Sequence, residues 1–365
     1  MKINSVELNN FRNISSLKLD ATDGVNVIYG ANAQGKTNIL EALWLFTGCK
    51  SFRGSKDAEF IKFNEDFAKI NLDFSDSARN KKSEIIISGK KKTVSLNEVG
   101  LHSSADLIGS FYAVIFAPSH LSLIKDGPAG RRRFLDTAIC QLKPSYAEHL
   151  AGYKRSLIQR NALLKDLHLS PQLYDILDSW DDRLARYSAA VVFERLKYIK
   201  IISEYSKEIY AGISEEKESF GITYSRNDLE NTEMTVHDLY CTELERIKNA
   251  RKEDILYKTT TLGPHRDDIE ILINGVSARS FGSQGQQRSC ALALKLGEAE
   301  IIKKITGETP VALLDDVMSE LDEKRQDYVL NNINDRQVFL TCCDPSQVLR
   351  LCNGKSFMIN GGEIV

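Results

Sequence analysis

The feature that most constrains this sequence is a glycine-rich octapeptide between an apolar strand pattern at 25–29 and an apolar helix pattern, ILEALWLFTG. Its residues are Gly30, Ala31, Asn32, Ala33, Gln34, Gly35, Lys36 and Thr37. They fit G-x-x-x-x-G-K-[ST] in the strand–turn–helix context that this pattern requires. The glycines let backbone N–H groups surround a phosphate, and the helix N-terminus adds a positive dipole end. The octapeptide predicts an α/β nucleoside triphosphatase; the alternative is a strand-to-helix turn with an incidental lysine.

Two residues of the octapeptide have expected chemical roles. Lys36 is expected to reach the β- and γ-phosphates, and the Thr37 hydroxyl is expected to ligate Mg²⁺. Lys36 is therefore a candidate catalytic residue as well as a nucleotide-binding one.

A second group of candidate residues ends the apolar run VALLDD at 311–316. Four apolar residues followed by two carboxylates are typical of a buried parallel strand that brings acids to the carboxyl edge of a sheet, where ligands bind. We expect Asp315 to hold Mg²⁺ through water, and Asp316 to be the general base that orients and deprotonates the attacking water. The alternative is that the two acids cap the N-terminus of a following helix.

The segment SQGQQ at 283–287 opens another predicted helix. Serine and glycine amides at a helix N-terminus form a second anion site, although the octapeptide already supplies one cradle for a nucleotide. Two anion sites for one γ-phosphate suggest that two subunits share the nucleotide. The alternative for Ser283 is an ordinary N-cap serine.

Composition excludes several classes of protein. The formal net charge is -2, with 48 Lys and Arg against 50 Asp and Glu, so any polyanion site must be a local patch. The 7 cysteines have neither disulfide-framework nor zinc-ligand spacing, which predicts thiols in a reducing compartment. There is no signal-peptide core and no run of about 18 uncharged apolar residues. We therefore expect a cytoplasmic protein that spans no membrane.

Strand patterns dominate both ends of the chain, whereas residues 126–255 are rich in apolar residues at three- and four-residue spacing. The pattern over 173–209 predicts a helix of about 55 Å. A second helical pattern over 146–166 is expected to pack antiparallel to it. The sequence thus predicts α/β segments at both ends and a helical insertion in the middle.

Six sequence blocks occur in a characteristic order along the chain. They are NFRNI (10–14), GANAQGKTNILEA (30–42), GPAGRRRFLD (127–136), GPHRDD (263–268), FGSQGQQR (281–288) and LLDDVMSELD (313–322). Together they resemble the RecF family, within the SMC-like class of ABC-type ATPases. The resemblance implies an ABC-type P-loop ATPase head formed by both chain ends, with lobes at 1–125 and 256–365 and a helical arm or lid domain at 126–255.

The resemblance also implies a function. Members of this family are DNA-binding ATPases of recombinational repair and replication restart, which dimerise head to head with ATP and dissociate after hydrolysis. The chain is expected to act at gapped DNA or single-strand to double-strand junctions and to help load recombinase. ATP and Mg²⁺ are the implied ligands, and RecO and RecR are the implied protein partners.

The family pattern assigns further residues to the ATP site. The set that closes over the opposing subunit's nucleotide is Ser283, Gln284, Gly285 and Gln286. Ser319 and Asp322, in the SELD segment behind the acids, are expected to face the opposing site. Asn38 and Arg12 join the ATP-binding set, and Arg53 is a further basic group expected near the nucleotide, although each arginine can equally be a surface residue.

Two basic clusters are candidates for DNA contact. The first consists of Lys81, Lys82, Lys90, Lys91 and Lys92. A predicted hairpin can place all five on one edge, although solvated hairpin tips are common. The second consists of Arg131 and Arg132, at a predicted helix start. For these arginines, ion pairs to the nucleotide or between domains, and plain solvation, are the alternatives.

Two other function classes fit the sequence less well. The ATPase subunit of a membrane transporter normally has its signature closer to the phosphate loop, two consecutive glycines in it and a histidine switch. A structural SMC-like ATPase needs a longer arm with a hinge or a hook. A DNA-binding ATPase is therefore the preferred interpretation.

Overall fold

The computed structural model describes residues 1–167, 172–226, 234–346 and 354–365. The chain forms two compact units. The head unit comprises Met1–Ser122, Tyr205–Glu218 and Gln284–Val365, and the helical unit comprises Leu123–Glu204 and Ser219–Ser283. By contact, residues 205–218 therefore group with the head and residues 256–283 with the helical unit, whereas the sequence places domain boundaries after 125 and 255. The division by function stays a prediction.

The described residues form strands and helices with the following bounds. The strands are β1 (Lys2–Phe11), β2 (Ile14–Asp20), β3 (Val25–Tyr29), β4 (Phe67–Ser75), β5 (Asn80–Ser88), β6 (Lys91–Leu96), β7 (Val99–Leu101), β8 (Ala113–Phe116), β9 (Phe220–Tyr224), β10 (Ile269–Ile273), β11 (Val276–Ser277), β12 (Val311–Asp315), β13 (Val338–Cys342), β14 (Gly354–Asn360) and β15 (Glu363–Ile364). The α-helices are α1 (Lys36–Leu45), α2 (Pro118–Leu121), α3 (Pro128–Leu142), α4 (Pro144–Asp166), α5 (Leu173–Ser214), α6 (Val236–Asn249), α7 (Arg251–Tyr257), α8 (Ala278–Phe281), α9 (Gln284–Thr306) and α10 (Glu323–Ile333).

One sheet of the head unit positions the candidate site. Its strand order is β15-β14-β3-β13-β12-β8, and all neighbouring strands except β14 and β15 are parallel. Every residue of β12 and β13 is buried, as expected for apolar strands that are covered on both faces. Asp315 is paired with Thr341, and Thr341 with Ile28. The carboxyl ends of β3, β13 and β12 therefore meet at one edge.

The second sheet of the head unit is antiparallel, with the order β2-β1-β4-β5-β6-β7. The alternating pattern that begins at residue 60 predicts one long strand, but only its part from Phe67 onward is β4. The pattern is interrupted at Asn64, whose φ is 66°. Phe60 instead ends a short 3-10 helix and stacks on Phe11, with ring centroids 5.5 Å apart.

The helical unit is built around α4 and α5. Helix α5 has 42 residues, or about 63 Å at 1.5 Å per residue, somewhat more than the predicted length. Arg160 pairs with Asp181 at 2.6 Å, and Lys143 pairs with Glu194 at 2.5 Å. Lys143, the N-cap of α4, thus meets the later residue of α5, and Arg160, near the end of α4, meets the earlier one, which confirms the antiparallel packing. The unit also contains the three-stranded sheet β11-β10-β9, and β9 was not expected within the helical insertion.

Two expectations from composition concern the whole chain. Among the described residues, no helix is both long and apolar enough to cross a membrane. None of the six cysteines in the described part of the chain is in a disulfide, and Cys352 lies outside that part.

Candidate nucleotide-binding site

The octapeptide connects the end of β3 to the start of α1. Its backbone needs glycine at two positions, because Gly30 has φ 148° and Gly35 has φ 109°. A Cβ atom on Gly30 would lie 2.3 Å from the carbonyl oxygen of Ile359, and one on Gly35 would lie 2.8 Å from Asn13 Oδ1. Ala33 also has a positive φ, 66°. These dihedral angles turn the chain sharply, so that the amides before the N-terminus of α1 surround a small concave region.

Lys36 lies over this loop. Its Nζ donates hydrogen bonds to the carbonyl oxygens of Gly30, at 2.5 Å, and Ala31, at 3.0 Å, and it lies 3.8 Å from Cys343 Sγ. The residue is buried, with 8% of its surface exposed. A buried ammonium group held by neutral carbonyls is well placed to exchange them for phosphate oxygens, which are stronger partners because they are charged.

The other loop residues are tied down from neighbouring segments. Gln34 Oε1 accepts a hydrogen bond from the Gly361 amide at 2.5 Å, and Asn32 Oδ1 accepts one from Cys343 Sγ at 3.1 Å. Ala31, Asn32 and Ala33 are exposed. The loop is therefore held at its base and open at its outer side.

Thr37 and Asp315, 278 positions apart in the sequence, are in direct contact. Thr37 Oγ1 donates to Asp315 Oδ1 at 2.6 Å, and Thr341 Oγ1 donates to the same oxygen at 3.0 Å. Burial raises the pKa of the Asp315 carboxyl, although these two hydroxyls act in the opposite direction. A cation bound beside Asp315 would favour its ionised form. The arrangement is therefore suited to a divalent metal.

The donor set fits Mg²⁺ in particular. No group of three or more His, Cys, Asp or Glu side chains in the described ranges is arranged to hold a metal by itself. Mg²⁺ is usually bound by one or two carboxylates and by phosphate oxygens of the substrate, so it does not need such a group. Thr37 and Asp315 would supply the protein oxygens.

Asp316 lies immediately beyond β12, in an unusual conformation. Its φ is 49°, which is uncommon for a residue other than glycine. Its amide donates to Thr341 Oγ1 at 2.9 Å, and its carbonyl oxygen accepts a hydrogen bond from Ser319 Oγ at 2.8 Å. These bonds hold a strained residue at the same edge as the phosphate loop, where strain often accompanies function.

Arg12 and Asn38 lie on the other side of α1. Arg12 donates through Nε, at 3.1 Å, and Nη2, at 2.8 Å, to Glu41 Oε2. Asn38 bonds to Asn13 at 2.8 Å and to Arg53 at 3.0 Å. Glu41, which is completely buried, was not among the predicted site residues. Its signal is a single acid in the otherwise apolar stretch of α1, because such an acid requires a cationic partner.

A cavity of about 500 Å³ opens beside these residues. It is lined by Arg12, Asn13, Asn38, Arg53, Glu59, Ile61, Lys62 and Phe63. The Phe63 side chain is the most exposed large apolar group here, at 87%. Cationic, amide and aromatic groups together suit a base and ribose better than an apolar ligand.

The residues expected to act across a dimer lie at the starts of α9 and α10. Helix α9 begins at Gln284, so Ser283 directly precedes it, and both residues are exposed. Gln286 Nε2 donates to Glu218 Oε1 at 2.6 Å. Asp322 is the N-cap of α10 and accepts a hydrogen bond from the Arg325 amide at 3.1 Å. Arg325 also bonds to the Gly285 carbonyl, so it brings these two segments together.

The lysine cluster differs from its expected arrangement. Ser88 is paired with Lys91 near the turn of the β5–β6 hairpin, whereas Lys82 lies six residues earlier, about 20 Å away along β5. Lys81 pairs with Asp76, and Lys92 lies 3.7 Å from Asp57. The expected single edge of five lysines is wrong, because the cluster spans both ends of the hairpin.

The two arginines also have separate environments. Arg131 is buried, and its guanidinium binds both carboxylate oxygens of Asp268, at 2.8 and 2.7 Å. The same group donates to the carbonyl oxygens of Leu123, Ile124 and Asp126. Arg132 donates to the Asp267 carbonyl at 2.9 Å. The guanidinium of Arg131 is thus committed to an ion pair within the helical unit, although Arg131 and Asp268 fall in different domains by the boundaries predicted from the sequence.

Comparison with known proteins identifies close relatives. A profile of the RecF/RecN/SMC N terminal domain matches residues 2–353. The chain is 42% identical over 349 residues to DNA replication and repair protein RecF of Acetivibrio thermocellus, covering 94% of each protein. Two solved structures of the recombination mediator protein RecF in the RecFOR pathway, RecF-ATPrS and RecF-ATP, align with TM-scores of 0.92 and 0.87 at 36% identity. They cover 99% and 100% of this chain, and it covers 97% and 98% of theirs.

Proposed function

The chain belongs to the RecF family of SMC-like ABC-type ATPases, and on this basis we propose that it is an ATP-gated, DNA-binding ATPase of recombinational repair and replication restart. One observation carries the ATPase part of the proposal. The Thr37 hydroxyl contacts Asp315 at the edge where Lys36 covers the phosphate loop and Asp316 is held in a strained conformation. These are the side chains that phosphoryl transfer to water requires.

Each of these residues has a separate role in the proposed reaction. The loop amides and Lys36 bind the β- and γ-phosphates. Thr37 and Asp315 are the residues that would hold Mg²⁺ beside these phosphates. Mg²⁺, when bound, neutralises charge on the phosphate oxygens. Asp316 accepts a hydrogen bond from the attacking water and takes its proton. We expect hydrolysis to be slow and to be stimulated by DNA.

The cavity beside α1 is the proposed site for the base and ribose. Asn38 and Arg12 line it, and Arg53 and Lys62 add two further cations. The exposed Phe63 ring offers a face on which a base can stack. In this site the guanidinium face and N–H groups of Arg12 would contact the base and ribose, while Glu41 holds the Arg12 side chain in place.

The dimer is the second part of the proposal. Ser283 and Gln284 are exposed at the start of α9, where amides and a helix dipole favour an anion. We propose that Ser283, Gln284, Gly285 and Gln286 close over the γ-phosphate of an opposing subunit. Ser319 and Asp322 face the same opposing site.

DNA and two proteins are the proposed partners. The two solved relatives are RecF proteins of the RecFOR pathway, which supports RecO and RecR as partners of this chain. Gapped DNA and single-strand to double-strand junctions are the proposed substrates. A band-shift assay with gapped, single-stranded and fully paired DNA, with and without ATP, tests this. Binding that ignores both ATP and DNA structure would contradict the proposal.

Replacing Lys36 tests the ATPase site. Lys36→Ala removes the cation that the loop carbonyls hold, so ATP binding and hydrolysis should both fall to background. Titration with a fluorescent ATP analogue measures binding, and thermal unfolding checks that the fold is retained. Normal turnover by a folded Lys36→Ala protein would refute the assignment.

Mixing two inactive variants tests the shared site. Ser283→Arg should block ATP-dependent dimerisation and hydrolysis but leave the ATP affinity of the monomer nearly unchanged. A mixture of Ser283→Arg and Lys36→Ala chains can form one composite site from the intact loop of the first and the intact α9 start of the second. We expect part of the ATPase activity to return. No recovery, with both variants folded, would favour the helix-cap role of Ser283.

A further inference from the structure

Arg325, in the first turn of α10, connects two segments of the head unit that are distant in sequence. Its Nη2 donates to the Gly285 carbonyl oxygen at 2.9 Å, and its Nε donates to Ser289 Oγ at 2.9 Å. Its Nη1 bonds to Asp322 Oδ2. The three nitrogen atoms of one guanidinium group are thus shared between the first two turns of α9 and the N-cap of α10.

The fit between Arg325 and α9 is close. A Cβ atom added to Gly285 would lie 3.0 Å from Arg325 Nη2, so the absence of a side chain lets the guanidinium reach the helix backbone. Ser289 is 4% exposed, and its hydroxyl accepts the Nε hydrogen in a nearly dry environment. Arg288, on the same helix, donates to the Glu320 carbonyl and so provides a second connection to the SELD segment.

A guanidinium group is suited to fixing a distance. It is planar and always charged, and its donors point in set directions, so three acceptors bound to it cannot move independently. Asp322 is exposed, and its bond to the Arg325 amide, which caps the helix, holds one carboxylate oxygen, Oδ1. The second bond, to the Arg325 side chain, fixes the orientation of the carboxylate.

We propose that Arg325 is a positioning residue for the ATPase, which holds Gly285 and Asp322 at a fixed separation so that both engage the opposing subunit's nucleotide together. This inference rests on the proposed dimer, since only there do the two segments share a target. Without Arg325, the start of α9 and the SELD segment would have to be ordered separately as the dimer closes. That additional ordering would weaken dimerisation without affecting the phosphate loop.

The first test is the substitution Arg325→Ala in the full-length chain. ATP-dependent dimerisation, measured by sedimentation, should weaken about tenfold, the loss expected for hydrogen bonds to a charged group. ATP binding by the monomer should stay within about twofold of the unsubstituted protein, because the loop is intact. Arg325→Lys keeps the positive charge but not the planar set of directed N–H donors, and should give an intermediate loss of dimerisation. The exposed neighbour Lys324, which pairs with Glu215 on the surface, provides the control Lys324→Ala, with no change expected.

A second variant keeps the test decisive if Arg325→Ala is poorly folded. Ser289→Ala removes one acceptor of Arg325 and should weaken dimerisation in the same direction, by less. In the Arg325→Ala background, the same change should have no further effect on dimerisation, because the bond is already lost. Unchanged dimerisation in both single variants would overturn the inference.

Mixing experiments separate this inference from the dimer proposal. Arg325→Ala mixed with Lys36→Ala should recover ATPase activity, as Ser283→Arg does, because one intact loop then meets one intact α9 start. If neither mixture recovers, the dimer proposal fails. If the Ser283→Arg mixture recovers activity and the Arg325→Ala mixture does not, Arg325 serves the nucleotide of its own subunit. In that case only the positioning role is refuted.

Discussion

Thr341 is the residue on which the geometry of both acids at the end of β12 depends. Its hydroxyl donates to Asp315 Oδ1 and accepts a hydrogen bond from the Asp316 amide. One buried side chain therefore fixes the candidate metal ligand and the candidate base relative to each other. Thr341 lies in β13, so this strand is linked to the proposed chemistry: a shift of β13 would move both acids.

Asp316→Asn separates hydrolysis from nucleotide binding. The amide cannot accept the proton of the attacking water, whereas Thr37, Asp315 and the loop are unchanged. ATP-bound dimers should therefore accumulate, and turnover should fall by about 100-fold or more, within the range for general-base catalysis. Sedimentation in saturating ATP and a phosphate-release assay measure the two effects.

The matching control for this experiment is the neighbouring acid. Asp315→Asn should weaken the response to Mg²⁺ as well as turnover, because Asp315 contacts Thr37 directly. A monomeric Asp316→Asn protein in saturating ATP would contradict either the role of Asp316 or the dimer.

At the scale of elements, Arg131 shows how a charged sequence block is used to join segments. Arg131 is in α3, and its partner Asp268 is 137 positions later, immediately before β10. The bidentate pair and three backbone carbonyl acceptors engage all three nitrogen atoms of the guanidinium. The block GPAGRRR therefore contributes a connection between α3 and the GPHRDD segment within the helical unit.

Arg131→Ala should destabilise the protein strongly. It removes the cation bound to Asp268 and the donor that three carbonyl oxygens share, and the loss of one partner of a largely buried pair costs about 3–5 kcal/mol. Chemical denaturation measures the change in free energy of unfolding. Arg155→Ala, an exposed arginine on α4, is the control and should change stability by less than about 0.5 kcal/mol. Equal stabilities for the two variants would contradict the structural role of Arg131.

At the scale of the whole molecule, the near-neutral charge means that DNA binding depends on a few exposed cations. Lys82, Lys90 and Lys91 are exposed at the two ends of the β5–β6 hairpin, whereas Lys81 and Lys92 have acidic partners. The three exposed lysines can neutralise phosphates without first breaking an ion pair. They are the better candidates within the cluster for contact with DNA.

Reversing these three charges together, as Lys82→Glu, Lys90→Glu and Lys91→Glu, should weaken DNA binding and reduce its salt dependence. The slope of log K against log salt should fall by about 0.9 for each lost phosphate contact on duplex DNA. Titrations at several salt concentrations measure it. A matched control reverses Lys50, Lys207 and Lys304, which are exposed elsewhere on the head unit. If both triple variants bind DNA equally, the hairpin is not the contact surface.

Local sequence was sufficient for most of the fold and for the centre of the candidate site. The octapeptide, the strand β12 and the helix α9 are each specified by neighbouring residues, because backbone conformation and apolar spacing are local properties. The antiparallel pair α4 and α5 was predicted for the same reason. The interruption at Asn64 and the strand β9 were missed, since alternation does not reveal where a strand stops or which segment it pairs with.

The sequence by itself determined which residues have the chemistry to bind a phosphate, hold a metal and accept a proton. Only the tertiary structure decided which charges are already paired. Arg131 is bound to Asp268, Arg12 to Glu41 and Arg325 to Asp322, so three similar arginines have three different roles. The physical reason is that the cost of a charge depends on its burial and partners. For Arg131 and Arg12, those partners come from distant parts of the chain that meet only when the units fold.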